Sequence, residues 1–117
     1  MKTFLAVYTG SPTSMQNARF EALNNDEKQK RMAEGIGAWH AWVDKYRDFI
    51  VDKGTPLGRT KSVSPSGIVD IRNNLTAYTV VRSESHEEAA KMFENHPHFM
   101  IFPGDTVEIM ECLPIPD

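Results

Sequence analysis

Four histidines hold much of the proton chemistry open to this chain, and two of them flank a proline in the segment MFENHPHFMIFPGD, residues 92–105. Pro97 stiffens the backbone, so the rings of His96 and His98 point in set directions. Imidazoles held in this way serve as proton-transfer groups or ligand donors at a cavity. They also serve structure: His96 at a helix end meets its negative pole, and His98 beside Phe99 suits a subunit contact. The spacing leaves both readings open. His40 offers a third imidazole, roughly 80° from the centre of a helical apolar stripe. Asp44, four residues on, is placed to orient that ring and raise its basicity. A general base at a cavity rim and a surface pair both fit.

Tyr78, Arg82 and Glu108 are candidates to line a cavity between two sheets, Arg82 as the anchor for a carboxylate and Glu108 as its counter-charge. An inter-subunit salt bridge is the competing reading. His86 directly follows a helix cap and reads as a surface residue. A His-x-His pair supplies two metal ligands, with His40 or Glu94 as a third, but spacing alone does not make a metal site, and none is expected. Cys112 has no basic neighbour to activate a thiolate. The GIG at 35–37 lacks the third glycine of a phosphate loop and does not follow a strand, and there is no serine nucleophile elbow. Phosphoryl transfer and serine hydrolysis drop out, and no cofactor motif is visible.

The elements that must position these residues begin with strand formers in KTFLAVY (2–8), closed by Gly10 and Pro12. A short helical turn is expected within 14–25. From Asp26, the residues Met32, Ile36, Trp39, Val43, Tyr46 and Ile50 recur at spacings of four and three, which predicts one long helix with Trp42 and Phe49 flanking its stripe. Aromatics at that spacing belong to a core more often than to a ligand box. Gly35 and Gly37 mark a break or a close approach. Strands are expected at 57–63 and 75–81, with a loop or small hairpin between them. Ser85 with Glu88 three residues on starts a second helix, which stops ahead of Pro97. A last strand spans 106–113.

The order β, α, β, β, α, β predicts an α+β, ferredoxin-like βαββαβ domain, an antiparallel sheet with both helices on one face. The other sheet face stays bare, so a homodimer with two sheets facing each other is expected. The 117 residues, 40% hydrophobic, suit a single domain over 1–117. A net charge of −3 with scattered Lys and Arg gives no footprint for nucleic acid. The single cysteine and the short apolar run at the amino terminus point to a soluble cytoplasmic protein without membrane contact.

The segments KTFLAVYTGS, AWHAWVDKYRDFIVDKGTPLG, AYTVVRSESHEEAAKMFENHPHF and PGDTVEIMECLPIP together resemble the YCII-related, or DGPF-domain, family. The resemblance implies a dimeric α+β barrel around a central cavity. Some members carry a catalytic His early in the first helix and an Asp in an Asp-Pro step after the second. Here that step reads His96-Pro97, the family histidine falls near Ala38 with His40 two residues away, and DIRN (70–73) stands near the DGPF position. The expectation is a homodimer binding a small carboxylated or aromatic molecule between its sheets. Acid and base chemistry would fall to His96, His98 and His40, with Asp44, Tyr78, Arg82 and Glu108 around the ligand. The alternative is a non-catalytic ligand-sensing or interaction module.

Overall fold

The computed structural model describes residues 1–116. Strand β1 (Lys2–Thr9) alternates strictly, with Phe4, Ala6 and Tyr8 buried and the intervening side chains facing the other way. Helix α1 (Met15–Glu21) follows, its first turn capped by the Ser14 hydroxyl. Helix α2 (Asn25–Lys45) starts on a reciprocal capping box between Asn24 and Glu27, which satisfies two otherwise orphaned amide donors. Next come β2 (Ile50–Asp52), β3 (Thr60–Ser64), β4 (Gly67–Ile71), β5 (Leu75–Ser83), α3 (His86–Lys91), α4 (Pro97–Met100) and β6 (Thr106–Glu111).

The main sheet runs β2-β5-β1-β6, antiparallel throughout, which is the ferredoxin-like order. Phe4, Ala6, Tyr8, Val81, Trp42, Ala89, Met92 and Phe93 form one core on the helix-covered side. The Trp42 indole N–H donates to the Met92 carbonyl at 2.7 Å, tying α2 to the turn after α3.

One expected element lies elsewhere. The second sheet strand is Ile50–Asp52, not 57–63. Helix α2 ends at Lys45, and a 3-10 turn at Arg47–Phe49 takes Ile50 out of helical phase into an extended conformation, where its β-branched side chain pairs with β5. Past Gly54, at φ 76°, the chain continues antiparallel along β5, where Pro56 bridges Ala77. The later part of 57–63 joins β4 in a separate two-stranded hairpin outside the main sheet. Helix α2 does not break at its glycines. Gly35 is occupied from outside by the Phe102 ring, which fills the space a Cβ would need, while Gly37 meets nothing within 4 Å.

The radius of gyration is 16.0 Å, against roughly 13 Å for a compact chain of this length. The β3–β4 hairpin, with Val63, Ile68, Val69 and Ile71 exposed, accounts for part of that excess. No helix among the described residues is long and apolar enough to cross a membrane.

The two glycines of α2 separate packing from propensity. Gly37→Ala is expected to stabilise the fold by about 0.5–1 kcal/mol, because it only removes unfolded-state freedom. Gly35→Ala is expected to destabilise it by about 1–3 kcal/mol, because Phe102 must move. Urea unfolding of the two variants beside the parent checks both signs.

Candidate functional site

Trp39 and Ile36 of α2 and the helix-facing side of the sheet together line a cavity of about 800 Å³. Its floor is Tyr8, Ala77 and Thr79, and its far wall Phe102 and Pro103. Ile36 is 50% exposed and Met32 40%, although both lie on the stripe that faces the sheet. They are exposed into the cavity. The volume falls within the range of small-molecule pockets, roughly 300–1,000 Å³.

This cavity lies on the helix side of the sheet and is separate from the one expected between two facing sheets. Alternation along the strands decides this. His96, His98 and His40 line it, and Tyr78 borders it from a strand position whose side chain alternates to the other face and donates to Asp52 at 3.3 Å; Arg82, Glu108 and Asp44 do not line it. Arg82 faces away from the core, and its Nε and Nη2 donate to the Asp48 carbonyl at 3.0 and 2.9 Å. Glu108 sits on the outer register of β6, opposite Val7. Asp44 accepts from Arg47 Nη2 at 2.6 Å instead of orienting His40, since Arg47 is three residues on with a longer reach.

The HPHF segment begins a helix as well as ending one. Asn95 takes a left-handed φ of 58°, the usual way to close a helical turn. His96 is then extended (φ −64°, ψ 142°), as a residue before proline must be, and Pro97 opens α4. His96 Nδ1 accepts the His98 amide N–H at 3.0 Å, so the ring is the N-cap of α4. It caps a positive pole, not the negative pole the sequence suggested.

That bond decides the tautomer. With Nδ1 accepting, the neutral ring carries its proton on Nε2, which faces the Tyr8 hydroxyl at 3.5 Å. Tyr8 Oη lies 2.7 Å from Thr79 Oγ1, whose own proton goes to the Lys53 carbonyl at 3.1 Å. A carbonyl only accepts, so the direction of the column is set: His96 donates to Tyr8, Tyr8 to Thr79, Thr79 to Lys53. Burial raises the Tyr8 pKa, while the interactions with Thr79 and Trp39 oppose it. Sequence reasoning missed both Tyr8 and Thr79. The available signal was their register: two hydroxyls on the core face of central strands require partners.

His98 Nε2 lies 2.7 Å from the Thr9 carbonyl and must donate to it, which leaves Nδ1 as the basic lone pair of the neutral ring. Gly104 packs against this ring so closely that no side chain fits there. Burial lowers the His98 pKa, offset in part by the Thr9 carbonyl, the Asp105 carboxylate and the Thr106 backbone. His96, 1% exposed, is pushed down to about 4 by burial and then by the neighbouring His98. His86, by contrast, donates Nε2–H to the Ile109 carbonyl at 2.7 Å and stacks on Phe4, away from the cavity.

The fold and site define a ferredoxin-like α+β domain with a cavity between its long helix and its sheet. Among solved structures, the chain is similar to the 5-chloro-2-hydroxyhydroquinone dehydrochlorinase of Burkholderia phenoliruptrix AC1100 in complex with 2,5-dihydroxybenzoquinone. The likeness covers 92% of this chain and 90% of that one at a TM-score of 0.53 and 16% identity, and it shows a shared fold. No protein-family model and no curated protein matches the chain.

The low pKa of His96 has a consequence for stability. Unfolded, the ring takes a proton below about 6.5; folded, only below about 4. Its stabilising contribution is therefore complete above pH 6.5 and is lost as the pH falls to 4, by about 3 kcal/mol in all. His96→Asn, which keeps an N-cap acceptor, is expected to remove that part of the pH dependence, as thermal unfolding between pH 4 and 7 will show.

Proposed function

We propose that this chain is a YCII-related protein, a single domain over 1–117, which binds a small planar and largely apolar molecule in the helix-side cavity and moves a proton on it. The observation that carries this reading is the polar cluster at the floor of an otherwise apolar cavity. The Tyr8 ring centroid lies 5.2 Å from that of His96 and 5.0 Å from that of His98. In this reading His98 is the general base through Nδ1. Tyr8 offers an oxygen lone pair to a ligand hydroxyl, His96 holds Tyr8 and the α4 backbone in place, and His40 is a polar group at the rim. The reaction class is isomerisation, elimination or lactone opening, in which proton removal is the difficult step. The similar dehydrochlorinase, solved with a dihydroxybenzoquinone, supports a flat ring and an elimination.

A non-catalytic ligand-binding module is the second reading. What favours it is that both imidazoles are hydrogen-bonded to backbone, His96 to an amide and His98 to a carbonyl. One experiment separates the two. Quenching of Trp39 and Trp42 fluorescence by 2,5-dihydroxybenzoquinone is expected to saturate. Release of chloride from chlorinated hydroxyhydroquinones is expected to fall roughly 10²–10⁴-fold in His98→Ala while quenching persists. Saturable quenching with no chloride release from any of them would sink the catalytic reading, and no quenching would sink both.

The homodimer belongs to the same proposal. Leu5, Val7, Val80 and Met110 share the uncovered sheet face, and the β3–β4 hairpin exposes apolar side chains on a two-stranded unit that is marginal alone. A second copy would cover both. Sedimentation equilibrium is expected to return twice the 13.2 kDa chain mass, and Val80→Glu, at the centre of that face, is expected to return a single mass.

A further inference from the structure

The cavity lining has a charge bias opposite to that of the protein. The chain holds 16 Asp and Glu against 13 Lys and Arg, yet no carboxylate of the described residues lines the cavity, while one cationic residue, Lys53, does, beside histidines that burial keeps neutral at His96 and His98. The two nearest acids in sequence are engaged elsewhere. Asp52 accepts from the Gly54 amide at 2.9 Å and from the Tyr78 hydroxyl at 3.3 Å. Asp105 accepts from the Ser11 amide at 2.9 Å and faces His98. Among the described residues no carboxylate comes within 4.0 Å of the Lys53 ammonium, as for most of the chain's Lys and Arg; what sets Lys53 apart is its place in the cavity lining.

The backbone that carries Lys53 is held in place. Its carbonyl takes the Thr79 proton at the end of the hydrogen-bonded column. The next residue, Gly54, lies so close to the Tyr78 carbonyl that no Cβ fits between them. Two residues further, Pro56 and Leu57 pair with β5. The lysine stem therefore leaves from a set point on the cavity rim, and only its own rotamers remain to be ordered on binding a ligand.

We propose that the ligand of this cavity is a planar aryl carboxylate, its ring between Trp39, Ile36 and the sheet and its carboxylate on the Lys53 ammonium. This rests on the reading of the cavity as a small-molecule site and adds the charge of the ligand and the residue that selects it. A carboxylate is chosen over a phenol because it is ionised throughout the neutral range, where an ordinary phenol, with a pKa near 10, is not. The anchoring role first assigned to Arg82 passes to Lys53, because Arg82 lies on the opposite face of the sheet and donates to Asp48.

Calorimetric titration of the full chain with 2-naphthoate and its neutral isostere 2-naphthamide at pH 7.5 tests this. The expected result is naphthoate binding at least roughly fivefold tighter than naphthamide, the scale of a partly exposed ion pair. Lys53→Met should bring naphthoate down to the naphthamide level without changing naphthamide, and Lys53→Arg should restore most of the difference. Equal affinity of the parent protein for both probes, or an equal loss of both in Lys53→Met, would overturn the assignment while leaving the cavity reading intact. If neither probe binds, the assignment and the small-molecule reading fall together.

Discussion

One hydrogen-bonded column ties the site together: His96 to Tyr8, Tyr8 to Thr79, Thr79 to the Lys53 carbonyl. Its members come from the turn before α4, from β1, from β5 and from the loop after β2, so it joins four separate parts of the chain beneath the cavity. An unpaired hydroxyl at this depth would cost about 1–3 kcal/mol. Because the last acceptor is a carbonyl, each proton in the column has one direction. The Tyr8 hydroxyl at the floor of the cavity is therefore held in one orientation and does not rotate freely.

Burial has different consequences for the two imidazoles of HPHF. His96 is sealed, its Nδ1 taken by an amide, and its pKa lies near 4, so it stays neutral and acts as a donor. His98 is also lowered, but carbonyls and Asp105 partly offset its burial. Two similar groups two residues apart thus acquire separate tasks, one holding the backbone and one keeping a basic lone pair. Glycines permit this crowding: Gly104 admits the His98 ring and Gly35 admits Phe102, which walls the cavity.

The parts of the site legible in sequence were those carried by local rules. Ser85 as a cap, the stop before Pro97 and the placement of His96 and His98 at one turn follow from short-range backbone sterics and hydrogen bonding. His40, His96 and His98 do reach the cavity and Tyr78 borders it, while Asp44 pairs with Arg47, Arg82 with the Asp48 carbonyl, and Glu108 stands on the outer register of β6. Tyr8, Thr79 and Lys53 were missed because their importance arises from partners 26 to 88 residues away. The second strand was misplaced because Ile50 suits both the helical stripe and a strand, and only the 3-10 turn after Lys45 separates the two.

The sequence alone determined the α+β class, the ferredoxin-like order of elements, the long amphipathic helix and the stiff turn between two histidines, since periodicity and capping act over a few residues. Tertiary structure alone decided that the helix side of the sheet carries a cavity. Strand alternation assigns residues to two faces but not to helix or solvent, and that choice depends on where Trp42 and Phe93 pack. It also decided which imidazole nitrogen holds a proton, because the tautomer depends on an amide and a carbonyl that folding brings to each ring.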